Sequence, residues 1–109
     1  MVRTVDQESL LDFIRERIVS AVDPLRIIMF GSRARGDARH DSDIDLLVVL
    51  QEVTDKRNMA IKIRSLLRDL PVGKDVIVTT PQEIQLRGHL VGSILRPALR
   101  EGKILYERN

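Results

Sequence analysis

Seven consecutive residues, Ile44-Asp45-Leu46-Leu47-Val48-Val49-Leu50, constrain the fold of this chain more than any other stretch. Side chains of a β-strand alternate between two faces, and here both alternating sets are apolar once Asp45 is passed. Such a strand needs cover on both sides, which places it in the middle of a sheet flanked by helices. With 109 residues the chain has material for one such sheet, and residues 1–109 read as a single domain. Aromatic residues are only 3% of the chain, so the core must be aliphatic. The same scarcity argues against a surface that stacks the bases of a single-stranded nucleic acid. Absence of cysteine excludes a disulfide scaffold and a thiolate zinc site. No apolar run is long enough to span a bilayer and no signal-peptide pattern opens the chain, so a cytoplasmic location is expected.

Around that strand the other elements follow from periodicity and punctuation. Thr4-Val5-Asp6-Gln7 reads as a capping box opening a helix with Leu10, Leu11, Ile14, Ile18 and Val22 on one face. Asp23-Pro24 ends it, because the residue before proline avoids the helical region. Leu25 to Phe30 reads as a buried strand. A second helix is expected from Thr54 or Asp55 to Leu70, with a stripe of Met59, Ile63, Leu66, Leu67 and Leu70, stopped by Pro71 and Gly73. Asp75 to Thr79 is a third strand. Thr80-Pro81-Gln82-Glu83 starts a third helix, with a capping box and proline at its first position. That helix carries Ile84, Val91, Ile94, Leu95 and Ala98, with a kink expected near Pro97 and a stop at Gly102. Lys103 to Glu107 closes the chain as a short strand. The order is α-β-β-α-β-α-β, an α/β (α+β) fold with a small mixed sheet and flanking helices.

Chemistry concentrates between the first two strands, from Gly31 to Asp45. Gly31 permits a sharp turn and close approach of backbone to ligand. Ser32 is suited to cap a short helical turn over Arg33 to Gly36, whose N–H groups would face a phosphate. Asp43 and Asp45, two apart, project from one face of their strand. Asp75 opens the next strand and could join them. At about 4 Å and an effective dielectric near 20, each pair of carboxylates repels by on the order of 4 kcal/mol. Protonation or a cation among them would relieve this. Hard oxygen ligands in that number suit Mg²⁺ shared with substrate phosphates, and so point to phosphoryl or nucleotidyl transfer.

Gly31-Ser32, ten intervening residues, then Asp43-Ile44-Asp45 resembles the Gly-Ser-x10-Asp-x-Asp signature of the DNA polymerase β-like nucleotidyltransferase superfamily. The length and the downstream Lys74-Asp75-Val76-Ile77-Val78 are similar to its minimal nucleotidyltransferase (MNT) family. The resemblance implies that Gly31 and Ser32 hold the triphosphate of ATP. It implies that Asp43, Asp45 and Asp75 are catalytic and hold Mg²⁺, two ions in all, with Asp75 completing the place where the attacking hydroxyl sits. It further implies transfer of AMP, and a role as antitoxin to a HEPN-domain toxin in a type VII-like pair, the acceptor being a tyrosine of the toxin. Transfer to a small molecule or RNA end is the second enzyme reading, disfavoured because relatives with such acceptors carry added domains. A third reading is a binding module that blocks its partner sterically, against which the three costly neighbouring acids argue.

Other features admit two readings. Arg33, Arg35 and Arg39 could neutralise triphosphate charge or pair with Asp37 and Asp41, and His40 reads as a loop histidine rather than a base. With 18 Lys+Arg against 16 Asp+Glu the net charge is only +2, so direct nucleic-acid binding is not expected. Leu86, Leu90 and Leu99 widen the apolar girth of the third helix, which a heteromeric partner or a second copy would cover. Gly88 and Gly92 would let another helix approach closely there.

Overall fold

In the computed structural model, which describes residues 7–36 and 42–108, the central strand takes its expected place. Four strands order as β3-β2-β1-β4: β1 Arg26–Phe30, β2 Ile44–Val49, β3 Lys74–Thr79 and β4 Lys103–Glu107. β1 runs antiparallel to β2 and β4, and β3 runs parallel to β2, so the sheet is mixed. Among the described residues five helices accompany it: α1 Gln7–Val22, α2 Ser32–Arg35, α3 Lys56–Leu66, α4 Pro81–Arg87 and α5 Leu95–Glu101.

Alternation along β2 divides the core in two. Ile44, Leu46 and Val48 meet Leu10, Ile14 and Ile18 of α1 and Ile63 of α3 on one face. Leu47 and Val49 meet Leu95 and Ala98 of α5 on the other, together with Ile28 and Phe30 of β1. At roughly 25 cal/mol per Å² of apolar surface removed from water, this two-sided burial is the main force holding the sheet between its helices. Among the described residues no helix is long and apolar enough to cross a membrane.

Two helices differ from their sequence-based bounds. α3 stops at Leu66 rather than Leu70, because its last turns tighten: Leu67 N–H donates to Arg64 O (3.0 Å) and Leu70 N–H to Leu67 O (3.1 Å). Such i→i−3 bonds are common where a helix ends, and Pro71 allows no continuation. Leu67 and Leu70 stay buried all the same. The third helix is two short ones, broken over residues 88–94 and not at Pro97. Gly92 turns left-handed there (φ 88°), whereas Pro97 lies in the first turn of α5, where its missing N–H costs no helical bond. The break turns Val91 and Ile94 out of the core to 86% and 52% exposure, so the expected stripe survives only at Leu95, Ala98 and the half-buried Ile84. Residues 4–6 of the expected first capping box lie outside the described residues, as do Asp37, Arg39, His40 and Asp41.

Candidate active site

The end of β1 and the starts of β2 and β3 meet at one end of the sheet. Parallel pairing sets Asp45 directly opposite Asp75, and antiparallel pairing sets Phe30 opposite Asp45. Asp43, two residues before Asp45, shares their face, while Ile44 between them is fully buried on the other. Ile44 N–H donates to Gly73 O (2.9 Å), which extends the β2–β3 ladder back to Asp43. The three acids therefore lie where the second face of the sheet is left uncovered by α5.

Two glycines make room for two of these carboxylates. A Cβ built on Gly31 would overlap Asp45 Oδ2, and one on Gly73 would overlap Asp43 Oδ1. Gly31 also has a positive φ of 78°, which turns the chain from β1 directly into α2. The helix starts at Ser32 itself, so Gly31 holds the cap position that the sequence suggested for Ser32. No side chain caps α2, and Gly31 O accepts from both Ala34 N–H and Arg35 N–H at 3.1 Å. Ser32 thus stands as the first helical residue beside Gly31, on the flank of β2 opposite Asp75.

Charge at this end is unbalanced toward the acids. The Asp45 carboxyl is pushed above its usual range, first by burial and then by Asp75 and Asp43, with Arg35 pulling the other way. Burial disfavours the charged form, and the mutual repulsion of neighbouring carboxylates adds to it. Arg35 faces Asp45 electrostatically, whereas Arg33 Nε donates to Ser42 O (2.9 Å), tying α2 to the segment leading into β2. Asp43 leans toward Gly73 and Asp45 toward Gly31, so the carboxylates fan apart. Among the described residues no three acidic, imidazole or thiol side chains close into a ready metal cluster. The donor set itself fits a hard divalent ion: oxygen donors only, on one face, with a repulsion that such an ion would relieve.

All five residues singled out from the sequence (Gly31, Ser32, Asp43, Asp45 and Asp75) come to this one end of the sheet. Gly73 was missed in its present role. It reads in sequence as the stop of a helix, and only the strand register reveals that it lies beside Asp43. The signal was available in its position two residues before Asp75. A cleft of about 830 Å³, lined by Gln51, Thr54, Thr80 and Gln82 among others, lies at the opposite end of β2 and β3 and holds none of these residues.

A strand–turn–helix bearing Gly-Ser, followed by paired aspartates and a third on the adjoining parallel strand, defines the nucleotidyltransferase class. The family described as Polymerase beta, Nucleotidyltransferase matches residues 13–109. A protein of Methanocaldococcus jannaschii, named as a candidate protein adenylyltransferase, is 30% identical over 95 residues. The match takes in 80% of this chain but 61% of that relative, so the chain spans about three fifths of its length. Among solved structures, a candidate nucleotidyltransferase from Sulfolobus solfataricus superposes with a TM-score of 0.64 at 25% identity, covering 94% of this chain and 84% of that one. The complex of a tri-AMPylated Shewanella oneidensis HEPN toxin with its MNT antitoxin matches at TM-score 0.55 and 19% identity, over 94% of this chain and 74% of that one. Identity that low establishes likeness of fold. The chain belongs to the polymerase β nucleotidyltransferase family, as the Gly-Ser and Asp-x-Asp residues implied.

Proposed function

We propose that this protein moves AMP from ATP onto a hydroxyl group in a Mg²⁺-dependent reaction, the acceptor being a tyrosine of a HEPN toxin that it neutralises. One observation carries the reading: Asp45 and Asp75 stand opposite each other across parallel strands, with Asp43 on their face and the Gly31–Ser32 turn on the other flank. On this reading the donor nucleotide and the acceptor take separate sides of β2. Gly31 and Ser32 would take the triphosphate, by close backbone approach and the hydroxyl of Ser32. Asp43, Asp45 and Asp75 would hold the magnesium, two ions by family resemblance, and these supply charge stabilisation for the entering and leaving oxygens.

Asp75, on the acceptor side, orients the attacking hydroxyl and receives its proton. The hydroxyl oxygen forms a bond to the α-phosphorus as the bond to pyrophosphate breaks, leaving an AMP ester on the acceptor. Support for a protein acceptor comes from the Methanocaldococcus relative, named for protein adenylylation. Support for a toxin comes from the Shewanella complex, in which an MNT antitoxin accompanies an AMPylated HEPN toxin.

ATP labelled at the α-phosphate, added with Mg²⁺ to lysate of the native host, tests this against the Asp43→Ala/Asp45→Ala variant. Label on one discrete protein with the wild type alone is the expected result. Label on RNA or a small molecule would keep the transferase and remove the toxin. Transfer by the double variant at the wild-type rate would remove the site.

A further inference from the structure

Around the edge of β3 from the acids, the surface changes sign. Arg57, Ile61, Arg64 and Arg68 follow one another at steps of four, three and four residues, so they form one stripe along α3 and the turn after it. All four are exposed, Ile61 to 49%. Arg64, Ser65 and Arg68 line a hollow of about 390 Å³ together with Lys74, Gly73 and the half-buried Val72. Lys74 Nζ donates to Leu70 O (2.7 Å), which holds its charge at the wall. Among the described residues Arg57, Arg64 and Arg68 have no carboxylate partner, and the adjacent acid, Asp69, is ion-paired with Arg17.

We infer that this stripe docks an acidic segment of a polypeptide, its carboxylates pairing with Arg57, Arg64 and Arg68 and an apolar side chain resting on Ile61. The inference rests on the transferase reading in one respect: the polypeptide held there is the one that receives AMP. Spacing and surroundings identify the occupant. Arg57 and Arg64 are two helical turns, about 10 Å, apart, which calls for several anions on one chain rather than one small ion. Apolar Ile61 and Val72 lie among the cations, where a peptide side chain would cover them. A single-stranded nucleic acid would need rings to stack on, and the three aromatic residues, Phe13, Phe30 and Tyr106, belong to α1, β1 and β4. Gly73 belongs both to the hollow and to the wall beside Asp43, and Asp75 lies two residues further along β3, about 7 Å away. A segment seated on α3 thus passes its neighbouring chain over the β3 edge to the exposed Asp75.

Fluorescence anisotropy of a labelled peptide of Glu-Glu-Leu repeats, titrated with the whole protein in the absence of ATP, tests this beside a Gln-Gln-Leu counterpart and oligouridylate. The acidic peptide should bind saturably, with both others at least about tenfold weaker, and its affinity should fall as salt is raised. Arg64→Glu/Arg68→Glu should weaken it at least about tenfold, since two attractions become repulsions. Arg87→Glu/Lys103→Glu, an equal change of net charge at exposed positions off the stripe, should weaken it less than about threefold. Should the first pair unfold by circular dichroism, Arg57→Gln/Arg64→Gln should weaken the peptide at least about threefold. Equal losses in the two charge-reversed pairs, equal binding of the Gln peptide, or tighter binding of oligouridylate would overturn the inference. If the acidic peptide binds as expected while no protein receives AMP, the transferase reading falls and the docking stripe stands. If wild type and Arg64→Glu/Arg68→Glu transfer AMP to a protein equally well, the inference falls and the reading stands.

Discussion

Gly31 and Gly73 differ in what a methyl group would do at each. Both lie against a carboxylate, but the colliding atom is the far end of an aspartate side chain, which can swing aside. At Gly73 that swing is the whole consequence. Gly73→Ala should therefore melt within about 0.5 kcal/mol of wild type while displacing Asp43 and lowering AMP transfer at least about tenfold. Gly31 carries in addition a φ of 78°, which a β-carbon resists at a cost of about 1–2 kcal/mol. Gly31→Ala should lose both stability and transfer. Thermal denaturation read beside a transfer assay separates the two. Equal melting losses in both variants would mean that the backbone of Gly31 is not strained. The aspartates were legible in sequence because parity on a strand is a local property. The partnership of Gly73 with Asp43 was not, because it depends on the register of two strands some thirty positions apart.

At the scale of elements, the turn from β3 into α4 holds the far end of the sheet together. Thr80 caps α4, its Oγ1 accepting from Glu83 N–H (3.2 Å), and this was readable from Thr80-Pro81-Gln82-Glu83 alone. The second role of Glu83 was not. It accepts from Lys56 Nζ of α3 (2.5 Å) and from the hydroxyl of the fully buried Thr79 (2.6 Å). Lys56 first, then Thr79, hold its carboxyl below the usual glutamate range. An acid with a depressed folded pKa adds stability above its unfolded value, about 4.3, and that stability is lost as pH falls through the folded value.

Glu83→Gln should cost roughly 1 kcal/mol at pH 7, and the gap to wild type should narrow below about pH 4. A gap unchanged from pH 7 to 3 would show that the charge contributes nothing. The break between α4 and α5 was misplaced for a related reason. Pro97 is the stronger helix breaker in sequence, but its cost depends on its place in the turn, and the left-handed backbone at Gly92 opened a new helix just ahead of it.

Across the whole molecule, one face of the sheet is closed by α1 and α3, and the other is only partly covered by α5. The acids gather where that cover stops. The covering of the sheet on both faces was foreseeable from the double-sided hydrophobicity of residues 44–50, since a strand apolar on both sides dictates layers. Strand order was not legible, because periodicity says nothing of which strand lies next to which.

Gathering three carboxylates at one end sets up a repulsion that, on the proposed reading, a divalent ion and a triphosphate relieve together. Calorimetric titration with a non-hydrolysable ATP analogue, with Mg²⁺ and then with chelator, measures that coupling in the absence of any acceptor. Wild type should bind the analogue only with Mg²⁺, and Asp43→Ala/Asp45→Ala should lose at least about tenfold in affinity, about 1.4 kcal/mol. Binding of equal strength with chelator, or by the double variant, would contradict the assignment of these aspartates as the metal site.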